Sequence, residues 1–450
     1  MKNNKDIIKF LQKEKLPYIK VAAFDIDGVL RGKYMAMEKA ISALEKGFGF
    51  CDVVLGWDSN DQLYDNSKYT GWHTGYPDAL LRLVPETFRR LPFEDNMPFV
   101  LAEFTGAAEA LCPRALLRRT IEKARAMGFA PFSACEFEFF LFEETPDTVR
   151  SKHYRDMKTI TPGFFGYSML RTSVHSEYYR ELMDICLAAD IEIEGLHTET
   201  GPGVVEAAIK VDGALAAADK AALFKTVAKI HAQRNGLMAT FMAKWSKDWP
   251  GQSGHIHLSL QDSAGNSAFY DAAAENNISE TMRHFIGGQQ AFMPEILAMV
   301  APTINSYRRL IPGFWAPTEA TWGVENRTCA LRAITGSPTA QRVEYRVAAA
   351  DINPHIAMAA ALASGLYGIE HKIEPDDPVR GNAYDQNFKA ERALPRNLTD
   401  AANRLKASKT ARGLFGDEFI DHYTASRDWE VSEFNKATTD WELDRYFEII

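Results

Sequence analysis

Three short stretches decide the architecture of this chain: Glu136-Phe137-Glu138, His255-Ile256-His257 and Arg342-Val343-Glu344-Tyr345-Arg346. Each stretch places acidic, imidazole or guanidinium groups at positions i and i+2 of an otherwise apolar segment. Because side chains alternate across a β-strand, the polar groups of each stretch share one face. Burying such groups is costly unless they bind metal ions, anions or one another. The pattern therefore predicts a polar funnel on a sheet, suited to hard cations and phosphate.

Length and composition narrow the class of protein. The chain has 450 residues, which suits two domains, and its 46% hydrophobic and 25% charged residues are usual for a globular protein. A net charge of -9 without a basic stripe argues against nucleic acid as a partner. No apolar run approaches the roughly 20 residues that span a bilayer, so we expect no membrane partner. Five irregularly spaced cysteines without CxxC and the lack of an apolar leader predict a cytoplasmic protein without structural zinc.

Hydrophobic periodicity predicts an α+β protein with a small N-terminal unit. In that unit we expect a helix at 5–15, strands at 18–24 and 30–35 and a helix at 37–46. Pro113 is expected as an early residue of the next helix, because proline is tolerated in the first helical turn. The predicted helices of the remaining chain alternate with the polar-faced strands and cover 114–127, 176–189, 213–235, 279–299 and 354–370.

The stretch Phe24-Asp25-Ile26-Asp27-Gly28-Val29-Leu30 has two interpretations. It matches the DxDGxL opening of haloacid-dehalogenase-like phosphatases, in which the first aspartate is a phosphorylated nucleophile. It also matches a β-hairpin whose Asp27-Gly28 pair supplies the turn. We favour the hairpin, because the following stretch lacks the pattern of a crossover helix and a parallel sheet.

A second acidic element follows the first strand pattern. In residues 192–206 a strand runs into Gly201-Pro202-Gly203, and Glu199 and Glu206 stand seven residues apart. If the turn folds back, both carboxylates can meet one ion, and carboxylates with imidazoles suit Mg²⁺ or Mn²⁺. An exposed acidic loop is the alternative.

The segment 309–346 is rich in arginine. Guanidinium groups bind carboxylate and phosphate through two parallel hydrogen bonds. The segment therefore predicts a clamp for a nucleoside triphosphate and a carboxylate substrate, although solvated surface arginines are the alternative for any one of them. The five arginines are Arg309, Arg327, Arg332, Arg342 and Arg346.

The order of these motifs resembles that of the glutamine synthetase family. The resemblance covers nearly the whole chain and includes the closing residues 441–448, which look like the tail of the bacterial type I branch. It implies a β-grasp N-terminal domain over 1–110 and, over 111–450, a catalytic domain with a curved antiparallel sheet flanked by helices. It also implies a homo-oligomeric ring, commonly a dodecamer, with sites between subunits. The motifs are E-x-E at 136–138, E-x-x-P-G-x-x-E at 199–206, G-H-x-H-x-S at 254–259, N-S-Y-x-R-L-x-P-G at 305–313, N-R-T at 326–328 and R-x-E-x-R at 342–346.

The resemblance implies ATP as a substrate and two to three Mg²⁺ or Mn²⁺ ions per site. The γ-carboxylate of glutamate would attack ATP to give an acyl phosphate, which an amine would convert to an amide with release of phosphate. Metal ions and arginines would stabilise the charge on the moving phosphoryl group. The implied metal ligands are Glu138, Glu199 and Glu206 for one ion and Glu136, His255 and Glu344 for the other.

The resemblance also implies ligands for the substrates. They are Glu194, His197, His257, Ser259 and Arg342 for the nucleotide, Arg327 and Arg332 for the phosphoryl group, and Gly251, Arg309 and Arg346 for glutamate.

Three departures from the family pattern fall together. Trp315 stands where ammonia-using members carry a flap glutamate that takes a proton from ammonium. Pro250 replaces an asparagine of the glutamate loop, and the ammonium-binding aspartate is replaced by Cys51 or displaced to Asp52. The residues assigned to metal and nucleotide remain, whereas those assigned to ammonia change.

This asymmetry predicts a ligase for glutamate and an amine other than ammonia. Trp315, with Phe314 and Trp57, offers an aromatic wall that could stack on an aryl or alkyl amine or hold a cation. Packing of the flap is the alternative role for Trp315. Two other hypotheses stay open: an ordinary glutamine synthetase that uses Asp52 as proton acceptor, and a non-catalytic structural relative.

Overall fold

The structure is a computed structural model that describes residues 3–450, and its N-terminal part is built on one small sheet. Its elements are α1 (Asn4–Glu14), β1 (Tyr18–Phe24), β2 (Leu30–Ala36), α2 (Met37–Lys46), β3 (Phe48–Cys51), β4 (Asp78–Leu83), β5 (Arg89–Leu91) and β6 (Met97–Phe104). The strands lie in the order β2-β1-β6-β4-β3, and β5 also pairs with β6. The antiparallel β1–β2 pair is local, whereas β1 and β6 run parallel.

The rest of the chain surrounds a larger, mainly antiparallel sheet. Its strands are β7 (Ala130–Phe142), β8 (Ile193–Thr198), β9 (Val204–Ile209), β10 (Asp212–Gly213), β11 (Met238–Thr240), β12 (Gly254–Gln261), β13 (Trp322–Val324), β14 (Leu331–Ile334) and β15 (Arg342–Tyr345). They lie in the order β13-β14-β15-β12-β7-β9-β8, with β10 and β11 paired to β7. The helices are α3 (Pro113–Ala126), α4 (Pro146–Ser151), α5 (Met169–Val174), α6 (Ser176–Ala188), α7 (Ala214–Arg234), α8 (Glu280–Ile296), α9 (Ser306–Arg309), α10 (Pro354–His371), α11 (Leu398–Ala407), α12 (Lys409–Phe415), α13 (Asp417–Asn435) and α14 (Asp440–Tyr446).

The helices and sheets confirm the predicted α+β class. Most predicted helices agree with the structure within about two residues, and Pro113 is the first residue of α3. The helix predicted over 279–299 ends earlier, at Ile296, and residues 297–299 form a tighter 3₁₀ turn. The predicted domain boundary at 110 falls between the end of β6 and the start of α3, and it stays a prediction.

The DxDGxL stretch forms the predicted hairpin. Phe24 pairs with Leu30 in the antiparallel β1–β2 ladder, and Gly28 adopts a φ of 79° in the turn. Oδ1 of Asp25 accepts hydrogen bonds from the backbone N–H groups of Asp27 (3.0 Å) and Val29 (2.8 Å). Its other oxygen accepts one from Arg31 at 2.9 Å. The carboxylate is therefore engaged in the turn rather than presented as a nucleophile.

Alternation along β7 separates an apolar face from a polar one. Phe137 and Phe139 are fully buried against Phe224 of α7 and against Phe241. Behind them α10 is buried on nearly every side and crosses α8 closely, since a Cβ on Gly288 would stand 2.2 Å from the carbonyl oxygen of Ser364. This packing covers the apolar face of the sheet, and the polar groups lie on the opposite face.

A buried ion network joins the two parts of the chain. Arg114 of α3 contacts Glu103 of β6 at 2.5 Å and Asp219 of α7 at 3.0 Å. His355 of α10 lies 2.8 Å from the same Asp219. Burial would raise the pKa of Glu103, but Arg114 outweighs it and holds this pKa below its ordinary value. The network keeps several buried charges paired at one junction.

Arg114→Met is predicted to destabilise the fold strongly. Removing one partner of a buried pair leaves carboxylates without compensation, which costs about 3–5 kcal/mol. Lys123→Met on the same helix is the matched control: Lys123 pairs with Glu370 at 2.6 Å on the surface, so its loss should cost less than about 1 kcal/mol. Guanidinium unfolding at equal protein concentration compares the two, and equal effects would contradict the prediction.

Candidate active site

Cross-strand pairing brings the polar positions of four strands together. His255 of β12 lies directly opposite Glu136 of β7, and His257 lies opposite Glu344 of β15. On the other side of β7, Glu138 lies opposite Glu206 of β9. Directly opposed residues have Cβ atoms about 4.5–5.5 Å apart, so these side chains can share ligands. The predicted polar face of the sheet is confirmed.

The first cluster contains Glu136, His255 and Glu344. One ligand atom from each lies within 4.8 Å of the others. Nδ1 of His255 is 3.3 Å from Glu344 and 3.6 Å from Glu136, while its buried Nε2 has no hydrogen-bond partner among the described residues. Arg332 donates a hydrogen bond of 3.1 Å to Glu344, and Arg346 pairs with the same carboxylate.

The electrostatics keep this cluster anionic. Burial alone would raise the pKa of Glu344, but His255 and Arg346 overcome it and lower the pKa to about 2. Burial is likewise outweighed at Glu136, whose pKa is held below its usual value by His255 and His257. Both carboxylates are therefore charged near neutral pH and able to bind a cation.

The second cluster contains His197, Glu199 and Glu206, whose ligand atoms also lie within 4.8 Å of one another. Nε2 of His197 is 3.4 Å from Glu199 and 3.6 Å from Glu206. Burial and the carboxylates of Glu138 and Glu136 raise the pKa of Glu206 to about 9. The packed carboxylates repel one another, and a divalent cation would relieve this repulsion.

The composition of the second cluster differs from the sequence assignment. The sequence groups Glu138 with Glu199 and Glu206, and it assigns His197 to the nucleotide. In the structure His197 lies with Glu199 and Glu206 in the second cluster. Glu138 is paired with Glu206 on the neighbouring strand and accepts a 2.5 Å hydrogen bond from the backbone N–H of Ser253. The roles of both residues stay predictions.

The two clusters fit divalent metal ions. Each offers carboxylates with one imidazole, the donor set that suits Mg²⁺ or Mn²⁺. Two further observations support the fit: the unpartnered nitrogen of His255 and the raised pKa of Glu206.

A cavity of about 260 Å³ opens beside the first cluster. Arg342 donates a hydrogen bond of 3.1 Å from Nε to Nδ1 of His257, which orients both side chains along one wall. Glu136 also lines this cavity, so a phosphate chain could pass from it to the metal ligands. Four of the five residues predicted to bind nucleotide line it: Glu194, His257, Ser259 and Arg342.

The residues predicted to bind glutamate also lie together. Gly251 packs on the stem of Arg309, because a Cβ there would stand 2.6 Å from Cγ of that arginine. Arg309 donates hydrogen bonds to the carbonyls of Val347 (3.0 Å) and Arg346 (3.1 Å). The guanidinium of Arg309 therefore supports the segment that carries Arg346, and its contact with glutamate stays a prediction.

The two arginines predicted to meet the phosphoryl group differ in environment. Arg332 is held by Glu344 and by Glu325, the latter at 3.0 Å from its Nε. Arg327 is exposed and lines a larger cavity of about 1130 Å³, which Trp315 lines as well. The structure therefore brings Arg332 to the first cluster, whereas Arg327 lies in the larger cavity.

The flap around Trp315 is open to solvent. Trp315 is 60% exposed and has a φ of 57°, a left-handed conformation that bulky residues rarely adopt. The ring of Phe314 lies 4.6 Å beneath the ammonium of Lys244. Trp57 packs against Arg31 at 4.8 Å in the N-terminal unit. Of the three predicted wall residues, Phe314 and Trp315 are neighbours in the flap and only Trp315 lines the large cavity, so the wall stays a prediction.

Asp52 belongs to the N-terminal unit. It is buried and accepts a hydrogen bond of 2.6 Å from Thr70, and its burial raises its pKa. In residues 3–450 no contact joins it to either acid cluster. Its predicted role as proton acceptor stays a prediction.

Two site residues escape the sequence analysis. The ring of Tyr167 stacks on His197 at 4.3 Å, and burial with the carboxylates of Glu199 and Glu206 raises its pKa to about 12. Lys244 links the flap ring of Phe314 to the carbonyl of Trp249 at 2.5 Å. Both residues lie in loops, where no periodic pattern marks them. The one weak signal for Tyr167 is an isolated aromatic residue beside a glycine in a turn.

The fold and the two acid clusters are those of a ligase of the synthetase class, and the comparisons agree. The family model of the glutamine synthetase catalytic domain matches residues 110–446, and the chain belongs to the glutamine synthetase family. It is 45% identical over 99% of its length to type-1 glutamine synthetase 2 of Dictyostelium discoideum, of which it covers 86%. It is 39% identical over its whole length to the glutamate–isopropylamine ligase of a Pseudomonas species, of which it covers 99%. The solved GmaS/ADP complex, at 25% identity, superposes with a TM-score of 0.86 over 100% of both chains.

Glu136→Ala is predicted to lower the rate of phosphate release by at least about 100-fold. Loss of a metal ligand removes several kcal/mol of charge stabilisation, and each 1.36 kcal/mol is tenfold in rate. Glu143→Ala is the control, because Glu143 follows the same strand but pairs with Lys158 at the surface. Phosphate release is measured with Mg²⁺ or Mn²⁺, and Mn²⁺ binding by calorimetry should weaken only in Glu136→Ala. Normal turnover in that variant would refute the metal assignment.

Proposed function

We propose that this protein is an ATP-dependent ligase that joins the γ-carboxylate of glutamate to an amine larger than ammonia. The reaction class follows from family membership. The choice of amine is carried by Trp315, which stands in the flap where the family resemblance places a glutamate in ammonia-using members.

The proposed chemistry has two steps on one sheet. His257 and Arg342 would orient the nucleotide, and Arg346 would grip a carboxylate of glutamate. Bound Mg²⁺ or Mn²⁺, in two to three sites, would neutralise charge on the transferred phosphoryl group. The acyl phosphate formed when the γ-carboxylate attacks ATP is then cleaved by the amine, which forms the C–N bond and releases phosphate. Arg332 and Arg327 would stabilise the phosphoryl charge during both steps.

The missing flap carboxylate constrains the amine. By analogy with lysine, an alkylammonium has a pKa of about 10.4, so only a small fraction of the amine is neutral at pH 7. Without a glutamate at position 315, the amine must arrive neutral or lose its proton to Asp52 of a neighbouring chain. An indole ring in place of the carboxylate favours an alkyl or aryl group next to the nitrogen.

Two relatives bear on this choice in opposite ways. The name of the Pseudomonas relative, glutamate–isopropylamine ligase, supports a larger amine. The name of the Dictyostelium relative, a type-1 glutamine synthetase, favours a second candidate in which ammonia is the acceptor. The tryptophan at position 315, in place of the flap glutamate, favours the first.

The position of Asp52 in the N-terminal unit, without a hydrogen bond to either acid cluster in residues 3–450, supports an oligomer. We propose a ring of identical chains, a dodecamer as in the bacterial type I branch, in which Asp52 of one chain approaches the flap of the next. None of the helices between residues 3 and 450 combines the length and the apolar composition of a membrane span. We propose a cytoplasmic location for this ring.

The amine is tested by kcat/KM for ammonium against isopropylamine, ethanolamine, a polyamine and aniline. We expect ammonium to be poor and a larger amine to be best. The rate with an alkylamine should rise from neutral to alkaline pH as the neutral form accumulates, whereas a weakly basic arylamine should give a flatter profile. If ammonium is the best substrate, the second candidate is correct.

Trp315→Glu should lower kcat/KM for the larger amine and raise it for ammonium. Loss of the ring contact removes about 0.5–2 kcal/mol, and the new carboxylate can accept a proton. Trp315→Tyr, which keeps an aromatic face, is the matched control and should retain the larger amine. Identical amine profiles in both variants would assign Trp315 to flap packing.

Arg346→Lys should raise KM for glutamate by about tenfold or more. The lysine keeps the charge but loses the bidentate geometry, and charge-assisted hydrogen bonds contribute about 1.5–3 kcal/mol. Arg412→Lys, at a surface arginine that pairs with Asp417, is the control. If another acid replaces glutamate with equal efficiency in the wild type, the assignment is wrong.

A further inference from the structure

A buried lysine, Lys244, lies between the two loops that border the proposed glutamate and amine positions. Only 6% of this residue is exposed. It directly precedes the glutamate loop, residues 245–251, and its side chain reaches the flap, residues 311–317. Lys244 lies outside both acid clusters and outside the cavity that the predicted nucleotide ligands line, so its burial needs another explanation.

Lys244 and the residue before it close the glutamate loop. Nζ of Lys244 donates a hydrogen bond of 2.5 Å to the carbonyl of Trp249. The carbonyl of Ala243 accepts one of 2.7 Å from the backbone N–H of Gln252. Pro250, which follows the carbonyl that Lys244 binds, has no N–H to donate. The lysine therefore supplies a hydrogen bond where the backbone of the loop offers one donor fewer.

The same ammonium contacts the flap. It lies 4.6 Å from the ring centroid of Phe314, within the range in which an aromatic face attracts a cation. Phe314 is 39% exposed and directly precedes Trp315, the residue on which the proposed choice of amine depends. Because the two rings are neighbours in the chain, holding Phe314 also limits where Trp315 can lie.

The backbone of Lys244 is fixed from a third side. Its N–H donates to Oδ1 of Asn305 at 2.7 Å, and its carbonyl accepts from Nδ2 of the same residue at 2.8 Å. Asn305 directly precedes α9, whose last residue is Arg309. The stem of Arg309 packs on Gly251, near the end of the glutamate loop. The lysine, the loop and the predicted glutamate clamp therefore form one packed unit.

Burying the ammonium of Lys244 is costly unless its neighbours stabilise it. Burial lowers the pKa of Lys244, and the charge of Asp248 offsets this effect only in part. Asp248 itself pairs with Lys247 at 2.8 Å on the surface. The carbonyl of Trp249 and the ring of Phe314 are the groups in direct contact with the ammonium, and one belongs to each loop. The geometry therefore joins the two loops through a single charge.

We propose that Lys244 is a positioning residue that ties the glutamate loop to the flap. Through the carbonyl of Trp249 it holds the loop that packs on the glutamate clamp. Through the ring of Phe314 it holds Trp315 at the amine position. The lysine acts through these neighbours and touches neither substrate. The inference rests on the proposed ligase reaction, but it does not depend on which amine is the acceptor.

Steady-state kinetics on the intact oligomer test the link to the substrates. Lys244→Met keeps much of the side-chain length but loses the ammonium. It should raise KM for glutamate and for the best amine by about tenfold or more, while KM for ATP stays within about twofold. Lys244→Arg keeps a cation that can donate to a carbonyl and lie on a ring, so it should recover most of the loss. Lys247→Met is the matched control, because the Lys247 side chain is 89% exposed and pairs with Asp248.

Hydrogen exchange followed by mass spectrometry tests the link between the two loops. In Lys244→Met, the amides of residues 245–252 and 311–317 should both exchange at least about threefold faster than in the wild type. Phe314→Leu should speed exchange in the flap alone and raise KM for the amine, because the bond from Lys244 to Trp249 remains. Exchange in α3 should be unchanged in both variants, which shows that the fold is intact.

Three results would overturn the proposal: an unchanged KM for glutamate in Lys244→Met, an equal rise in KM for ATP, or equal damage in Lys244→Arg. If Lys244→Met does not fold, Phe314→Leu decides, and unchanged exchange in the flap or an unchanged KM for the amine then contradicts the role. A wild type that prefers ammonium would refute the proposed choice of amine only. The rise in KM for glutamate in Lys244→Met would still be expected, so the two failures can be told apart.

Discussion

The buried carboxylate of Glu344 is the interaction on which the active site depends. It is 2% exposed and lies 3.3 Å from His255, while Arg332 and Arg346 both donate to it. A charge removed from water must be compensated by its neighbours, so the position of each of these groups is fixed by the same carboxylate. Three strands are thereby aligned: β14, β15 and β12. The sheet does not merely carry the site, because the charges of the site also hold its strands in register.

Strand chemistry could be predicted from the sequence because its signal is local. Glu136 and Glu138, or His255 and His257, share a face by alternation alone, and the helix start at Pro113 follows from proline geometry. Register is a different matter. The pairing of Glu138 with Glu206 depends on how two strands slide past each other, and contacts between residues that are distant in the sequence determine that.

The geometry of the loops could not be predicted from the sequence. His197 stacks on Tyr167 and lies among carboxylates, whereas the family resemblance assigned it to the nucleotide. Arg309 illustrates a second limit, since its fork is engaged by backbone carbonyls that no motif indicates. Trp315 lies in a turn of the flap and Asp52 in a short 3₁₀ helix, both outside the large sheet, whereas the groups proposed to act on phosphate lie on or next to its strands. Such a division allows the acceptor to change while the sheet keeps its chemistry.

The contact between Asp27 and Arg427 has a consequence for synthesis of the chain. These residues stand 400 positions apart. At a translation rate of about 5–20 residues per second, the hairpin that contains Asp27 leaves the ribosome roughly 20–80 s before its docking helix exists. During that interval the turn lacks its bond to Arg427 and is held by other hydrogen bonds, among them those that Val29 and Arg31 donate to the carboxylate of Asp25. The bond between the N-terminal hairpin and α13 can therefore form only when almost the whole chain has been made.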